Sequence, residues 1–343
     1  MRSGGNWAAA AQMRAVYPEH GGKRKEPRSA LTSPTPPSPG PPHASPAADL
    51  LRLHGAVLLF GVAGLFGKWV AAGALVIVWG RVVFAVPALL LLLWWRGEGL
   101  RLPGERWRVM ACGLLLAAHW AAFFQGIQVS TVAVGLLGYA TAPVMVVLLE
   151  PWWFRERYSP AALLAAGASL GGIALLVPRW QLDDATAQGL AWGVLSGALF
   201  ALLALLNRAL VARHDAMRLA LYEDGAAALG LTLLLPLVPV SLTWRDAGLL
   251  LVLGVFCTAL AHTWFIQSMR HLPARTATIV SNLEPVYGIA LAMLLLGELP
   301  APRTWAGGAL ILGGAAWATL RPWQRTAGQQ TAGQRTVKPP DAP

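Results

Sequence analysis

The chain has 343 residues, 56% of them hydrophobic and only 13% charged, with a mean hydropathy of +0.52 and a formal net charge of +11. An ordinary soluble domain is about one quarter charged, so this composition excludes a soluble enzyme, a disordered chain and a nucleic-acid-binding domain. The basic residues mostly border long apolar runs, where they act as topology signals. The sequence is that of an integral membrane protein.

Residues 1–49 hold nine prolines and the basic cluster Lys23, Arg24, Lys25 and Arg28. Such a stretch cannot bury a core and is expected to be a disordered, Pro-rich, basic extension. It lacks an apolar run long enough for a signal-peptide core. A lipid-attracted tail or transit peptide competes here with a dispensable extension, and the composition favours the last. The polar tail 323–343 is expected to be mobile.

A membrane-crossing helix needs about 20 mostly apolar residues, because every backbone amide must find its partner within the segment. Reading between charge clusters gives ten such segments, near 53–69, 72–95, 108–128, 131–151, 160–178, 188–207, 219–241, 247–269, 274–297 and 303–320. The loops between them are too short to form a domain for soluble chemistry. With the N-terminus inside, the cytoplasmic segments carry 22 Lys and Arg and the outer ones only four: Lys68, Arg179, Arg245 and Arg303. Both termini are therefore expected in the cytoplasm. Cys112 and Cys257 fall inside apolar runs, and no Cys/His ligand spacing supports a metal site.

A shift of 142 residues aligns the two halves without a gap. Phe123, Gln125, Pro143, Glu156, Pro160 and Gly171-Gly172 meet Phe265, Gln267, Pro285, Glu298, Pro302 and Gly313-Gly314. Each half has five segments, an odd number, so the second half enters the membrane with opposite orientation. The expected fold is an all-α integral membrane protein of ten transmembrane helices in two inverted five-helix repeats, 50–178 and 188–322. Inverted repeats are a hallmark of secondary transporters, whose substrate site lies near the midplane between the halves.

The stretch Asn282-Leu283-Glu284-Pro285-Val286-Tyr287, followed by Gly297-Glu298 and Gly313-Gly314, resembles the signature of EamA-type permeases of the drug/metabolite transporter superfamily. The first half echoes it in Ala142-Pro143, Arg155-Glu156 and Gly171-Gly172, so the resemblance covers about residues 50–322. It implies a ten-helix permease that moves small organic solutes, often amino acids or other metabolites, outward.

An ionised group at mid-bilayer costs about 2.5–3.5 kcal/mol even on the lenient insertion scale, so each one needs a reason. Glu284, beside Pro285 in the ninth segment, either binds a substrate ammonium or a proton, or pairs structurally with Arg81 or a tyrosine. Arg81, within the second segment near Trp79, suits a substrate carboxylate. His119 and His262 are close counterparts in the repeat; packing is the plainer role and proton coupling the sharper one. Gln125 and Gln267 line the cavity or bond neighbouring helices. Tyr222, Glu223 and Asp224 open the seventh segment, as acids complementing a helix dipole or as an inner gate or cation site. Pro143 and Pro285 are paired kinks, either hinges about which half-helices can rock or static bends. Gly189, Gly193 and Gly197 let helices approach closely.

These residues predict a secondary transporter, for which the resemblance implies the exporting direction, with a small zwitterion or organic ion held among Trp79, Arg81, His119, Tyr139, Asn282, Glu284 and Tyr287. Its expected partners are a small-molecule substrate and the lipid bilayer, with no nucleic acid, no resident cofactor, and a proton gradient as the optional coupling ion. The oligomeric state is left open, a homodimer being one option. The alternatives are a lipid flippase and, with less support in the short loops, a membrane-embedded enzyme. An Ala-, Gly- and Arg-rich composition points to a GC-rich genome and a bacterial inner membrane.

Overall fold

The computed structural model describes residues 46–317, apart from Pro103, 155–159, 177–182, Pro273 and Ala315. The expected N-terminal extension lies outside the described residues up to position 45, as do the C-terminal tail, Arg155 and Glu156. Every described element is a helix: α1 (Pro46–Trp69), α2 (Ala74–Trp95), α3 (Arg106–Val129), α4 (Val132–Tyr139), α5 (Ala142–Phe154), α6 (Pro160–Leu176), α7 (Ala185–Val211) and α8 (Ala216–Leu234). There follow α9 (Trp244–Gly254), a π-helical turn (Val255–Leu260), α10 (Ala261–Ser268), α11 (Ala274–Ser281), α12 (Leu283–Leu296) and α13 (302–314).

Six helical stretches are long and apolar enough to cross a membrane: Ala47–Trp69, Ala74–Trp95, Arg106–Val129, Ala185–Val211, Ala216–Leu237 and Trp244–Ser268. Val132–Val146 and Leu283–Leu296 are shorter apolar helices. The outward faces carry bare hydrocarbon, including Leu91, Leu233 and Leu294. In water that surface would drive aggregation; in lipid it is the solvated face. The chain is a multi-pass membrane protein.

Local chemistry fixes where the helices begin. Asp215 accepts from the amides of Met217 and Arg218 and so starts α8 at Ala216. Asp184 caps α7 through Ala187, Thr131 caps α4 through Val134, and Thr243 with Asp246 forms a reciprocal capping box on α9. At its other end α12 stops on Gly297, whose φ of +67° costs glycine little and a β-carbon much.

Two expected segments are not single helices. Segment 131–151 breaks at Ala140–Thr141, and segment 274–297 breaks at Asn282. Pro143 and Pro285 therefore sit in the first turns of α5 and α12, where a missing amide N–H costs nothing. They start helices rather than kink them.

Contacts between loops define the two ends of the bundle. At one end Glu105 meets Arg213 and His214, Arg218 meets Glu98, and Asp49 meets His271. At the other, Lys68 bonds the Ser130 carbonyl, Arg245 bonds the Trp69 carbonyl, and Glu298 accepts from the Val132 amide at the start of α4. Between them α1 packs on α10 and α12, α7 on α3 and α4, and α2 and α3 on α8. The α7 approach is glycine-mediated. A β-carbon on Gly193 would lie 2.7 Å from the Gly135 carbonyl oxygen, and one on Gly197 would lie 2.9 Å from that of Tyr139.

Candidate functional site

Where these helices cross, they enclose a central cavity of about 30 Å³. That is space for about two water molecules. Its walls are largely aromatic: Phe60 from α1, Trp120 and Phe123 from α3, Tyr139 from α4, Phe200 from α7 and Phe265 from α10. The rings lock edge to face or tilted, with Tyr139–Phe200 and Phe200–Phe265 centroids 5.2 and 5.4 Å apart. Set into this box are Arg81, His119, Asn207, His262 and Glu284.

Arg81 is 1% exposed, and its guanidinium lies over the Trp120 ring at 3.8 Å. Its Nε donates to Thr258 Oγ1 at 2.8 Å and its Nη2 to the Cys257 carbonyl at 3.0 Å. Both acceptors belong to the π-helical turn, a form that recurs at functional sites. Thr258 in turn donates to the Leu253 carbonyl five residues back, at 2.8 Å. The turn, the threonine and the indole face together hold a buried cation without a salt bridge. Glu284, also buried, meets the Tyr139 hydroxyl and is, with Asp224, one of the acids nearest Arg81.

The two histidines differ. His119 Nδ1 lies 3.0 Å from the Ser196 carbonyl and 2.9 Å from its hydroxyl. His262 instead lies between two carboxylates, with Nε2 3.3 Å from Glu223 Oε2 and Nδ1 3.3 Å from Asp224 Oδ1. Glu223 and Asp224 do not open the seventh segment as expected. Because Asp215 caps α8, they lie about two turns inside it, both fully buried, and Asn207 Nδ2 donates to Glu223 at 3.2 Å. The dipole role is thereby removed from both.

Of the residues chosen from sequence, Arg81, His119, Tyr139, His262 and Glu284 converge on the cavity, and Glu223 stands directly behind His262. The others lie apart from its walls. The Trp79 indole donates to Thr232, and Tyr222 donates to the Leu100 carbonyl at one bundle end. Gln125 is half-buried on α3, and Gln267 borders a separate groove on the outer surface. Asn282 occupies the break between α11 and α12, and Tyr287 abuts Gly61 of α1. Sequence reasoning passed over Trp120, Thr258, Asn207 and the phenylalanines. The repeat held a signal for some of them, because the 142-residue shift places Trp120 on His262 and Phe123 on Phe265, and all four line the cavity. Trp120 and His262 meet edge to face at 5.7 Å. Among the described residues no group of three His, Cys, Asp or Glu is placed to hold a metal.

Residues 50–177 and 187–320 each match the EamA-like transporter family. The chain is similar to an uncharacterized transporter, YxxF, of Bacillus subtilis, with 23% identity over 79% of this chain and 89% of that protein. It is 26% identical to a probable terminal-alkyne amino-acid exporter of Streptantibioticus cattleyicolor, over 57% of this chain and 67% of the exporter. A crystal structure at 21% identity superposes with a TM-score of 0.62, over 80% of this chain and 99% of that one, a likeness of fold.

Proposed function

The chain belongs to the EamA-like transporter family of the drug/metabolite transporter superfamily, and from that premise we propose that it is a secondary transporter exporting small amphipathic zwitterions of the amino-acid class. One observation carries the reading: a single cavity at the crossing of both halves holds one guanidinium and one carboxylate inside an aromatic box. A zwitterion brings the complementary pair of charges, since an ammonium suits Glu284 and a carboxylate suits Arg81. The rings take an apolar side chain. The likeness to an amino-acid exporter agrees with this class.

The proposed machinery is ten membrane crossings in two inverted five-helix repeats that alternate about the site. Several features support it. The helix breaks at Ala140 and Asn282 are 142 residues apart, as are Pro143 and Pro285. The α1 packing on α12 and α10 has its counterpart in α7 on α5 and α3, as an exchange of halves requires. α1 ends beside the end of α3, whereas α7 ends beside the start of α3, so the first helices of the halves run oppositely. Breaks at matching positions of the repeat are natural hinges, and a cavity too small for a solute has to widen before one binds. The Lys and Arg bias between alternate loops supports both termini in the cytoplasm, with a bacterial inner membrane as the proposed location.

A second reading, lipid movement, has its own observation in an outer groove of about 720 Å³ beside Trp94, Trp95 and Trp264. The test separates the two. Full-length protein in proteoliposomes is screened for counterflow of the L-amino acids, organic cations and organic anions, and for scrambling of a labelled lipid, with and without a pH gradient. Amino-acid counterflow that Glu284→Gln lowers at least about tenfold, the scale of one charge-assisted hydrogen bond, is the expected result. Undiminished flux in a correctly inserted Glu284→Gln protein overturns the site, and lipid scrambling alone replaces the reading.

A further inference from the structure

Beyond the cavity wall, α8 and α10 bring together ionisable groups that the solute site does not use. Glu223 is 0% exposed, Asp224 0% and His262 3%, and the two acids approach opposite nitrogens of one imidazole at 3.3 Å. Neither approach has hydrogen-bond geometry. Glu223 Oε1, both Asp224 oxygens, both His262 nitrogens and Asn207 Oδ1 are buried with no hydrogen-bond partner. A fold normally satisfies such atoms, and a carboxylate pair inside a membrane is retained for use rather than for packing.

Charge counting says what is missing. With Arg81 and Glu284, the buried set comprises three carboxylates, one guanidinium and one imidazole. Fully ionised, it carries three negative and two positive charges, so a single added proton makes it neutral. A metal ion is the poorer occupant: both ring nitrogens already face carboxylates, and the described residues present no ligand set for one. The proton has an entry, because His262 and Asn207 also line the cavity. The rest of the shell is closed. α3 supplies Cys112, His119 and the Trp120 ring, α2 supplies Arg81, the π-helical turn supplies Cys257 and Thr258, and α12 supplies Glu284.

We propose that Glu223, Asp224 and His262 form a proton-binding site, braced by Asn207 and distinct from Glu284, that exchanges one proton with water in the cavity. In the step, hydronium in the cavity gives its proton to the cluster and leaves as water, and one of the two acids becomes neutral. Occupancy of the solute cavity and of this site then influence each other through the shared His262 wall, and by linkage the influence is reciprocal. That coupling rests on the transporter reading, whereas the proton site does not.

The experiment therefore needs no solute. Infrared pH-difference spectra are recorded on the full-length protein in lipid bilayers, wild type against Glu223→Gln, Asp224→Asn, His262→Gln and Asn207→Leu. The wild type is expected to show a buried carboxylic-acid band that grows as pH falls. Glu223→Gln or Asp224→Asn removes it, and His262→Gln and Asn207→Leu move its midpoint by about one pH unit or more, a tenfold change in proton affinity. Should the two acid variants fail to insert, the last two decide, because they leave both carboxyls in place. A carboxylic-acid band unchanged in every inserted variant overturns the proposal. A cluster-dependent band beside a failed solute screen keeps the proton site and removes only the coupling.

Discussion

Charged residues at the edge of the bundle and in its interior follow different rules. At the edge, Glu105 meets Arg108 at 2.6 Å, Arg213 at 3.1 Å and His214 at 3.1 Å, each with hydrogen-bond geometry. Asp49 likewise takes Arg52 at 2.8 Å and His271 at 2.6 Å. In the interior, Glu223, Asp224 and His262 come close without completing a hydrogen bond among them. Bulk water and mobile side chains can always complete an interfacial group; behind the cavity wall neither is at hand, so incompleteness there is a property of the site. Saturated charges hold the loops together, and unsaturated ones are available to a ligand.

The contrast is tested most severely at Arg81. Replacing it by Leu removes the cation from a buried set that includes Glu284 and Asp224. It should abolish solute flux and lower stability by about 3–5 kcal/mol, read as thermal unfolding in detergent. A variant as stable as wild type would mean the interior acids need no counter-charge. Thr258→Val is a finer cut, keeping the side-chain shape while deleting the acceptor for Arg81 Nε. A loss of about 1–3 kcal/mol is expected, with Arg81 still seated on Trp120. No loss would place the weight on the Cys257 carbonyl alone.

The smallest effect lies at the edge. His214, with Arg213 and Arg108, holds the Glu105 carboxyl below the ordinary glutamate range. A folded value below the unfolded one contributes stability above the ordinary range, and this contribution is lost as pH falls through the folded value. Exposed pairs of this kind are weak and screened by salt. Melting temperature should therefore fall slightly more steeply on acidification in wild type than in Glu105→Gln, and the difference should shrink in high salt. A large, salt-insensitive difference would blur the distinction between edge and interior.

Sequence alone conveyed the membrane class, the helix positions to within several residues and the close approach at Gly193, because hydropathy and small-residue spacing are one-dimensional signals. It also grouped Arg81 with Glu284, and both line the one cavity, since a charge within an apolar run has few places to go. The depth of Glu223 and Asp224 was hidden. Their distance from the helix start depends on Asp215 acting as a cap, and a polar run Arg213-His214-Asp215 reads equally well as loop. The breaks at Ala140–Thr141 and Asn282 were misread as kinks, because a proline suits a first turn and a bent helix alike. Nothing in Val255–Leu260 announces a π-helical turn, which packs against α2, where the Arg81 carbonyl lies against Gly254.

That turn has a consequence for register. A π-helical turn amounts to one extra residue threaded into an α-helix, and each residue advances the side chains by about 100°. Deleting a single position between Val255 and Leu260 would leave an unbroken rod of nearly the same length, yet swing His262 and Phe265 a quarter-turn off their wall. One surplus residue thus aims the whole downstream half of the rod.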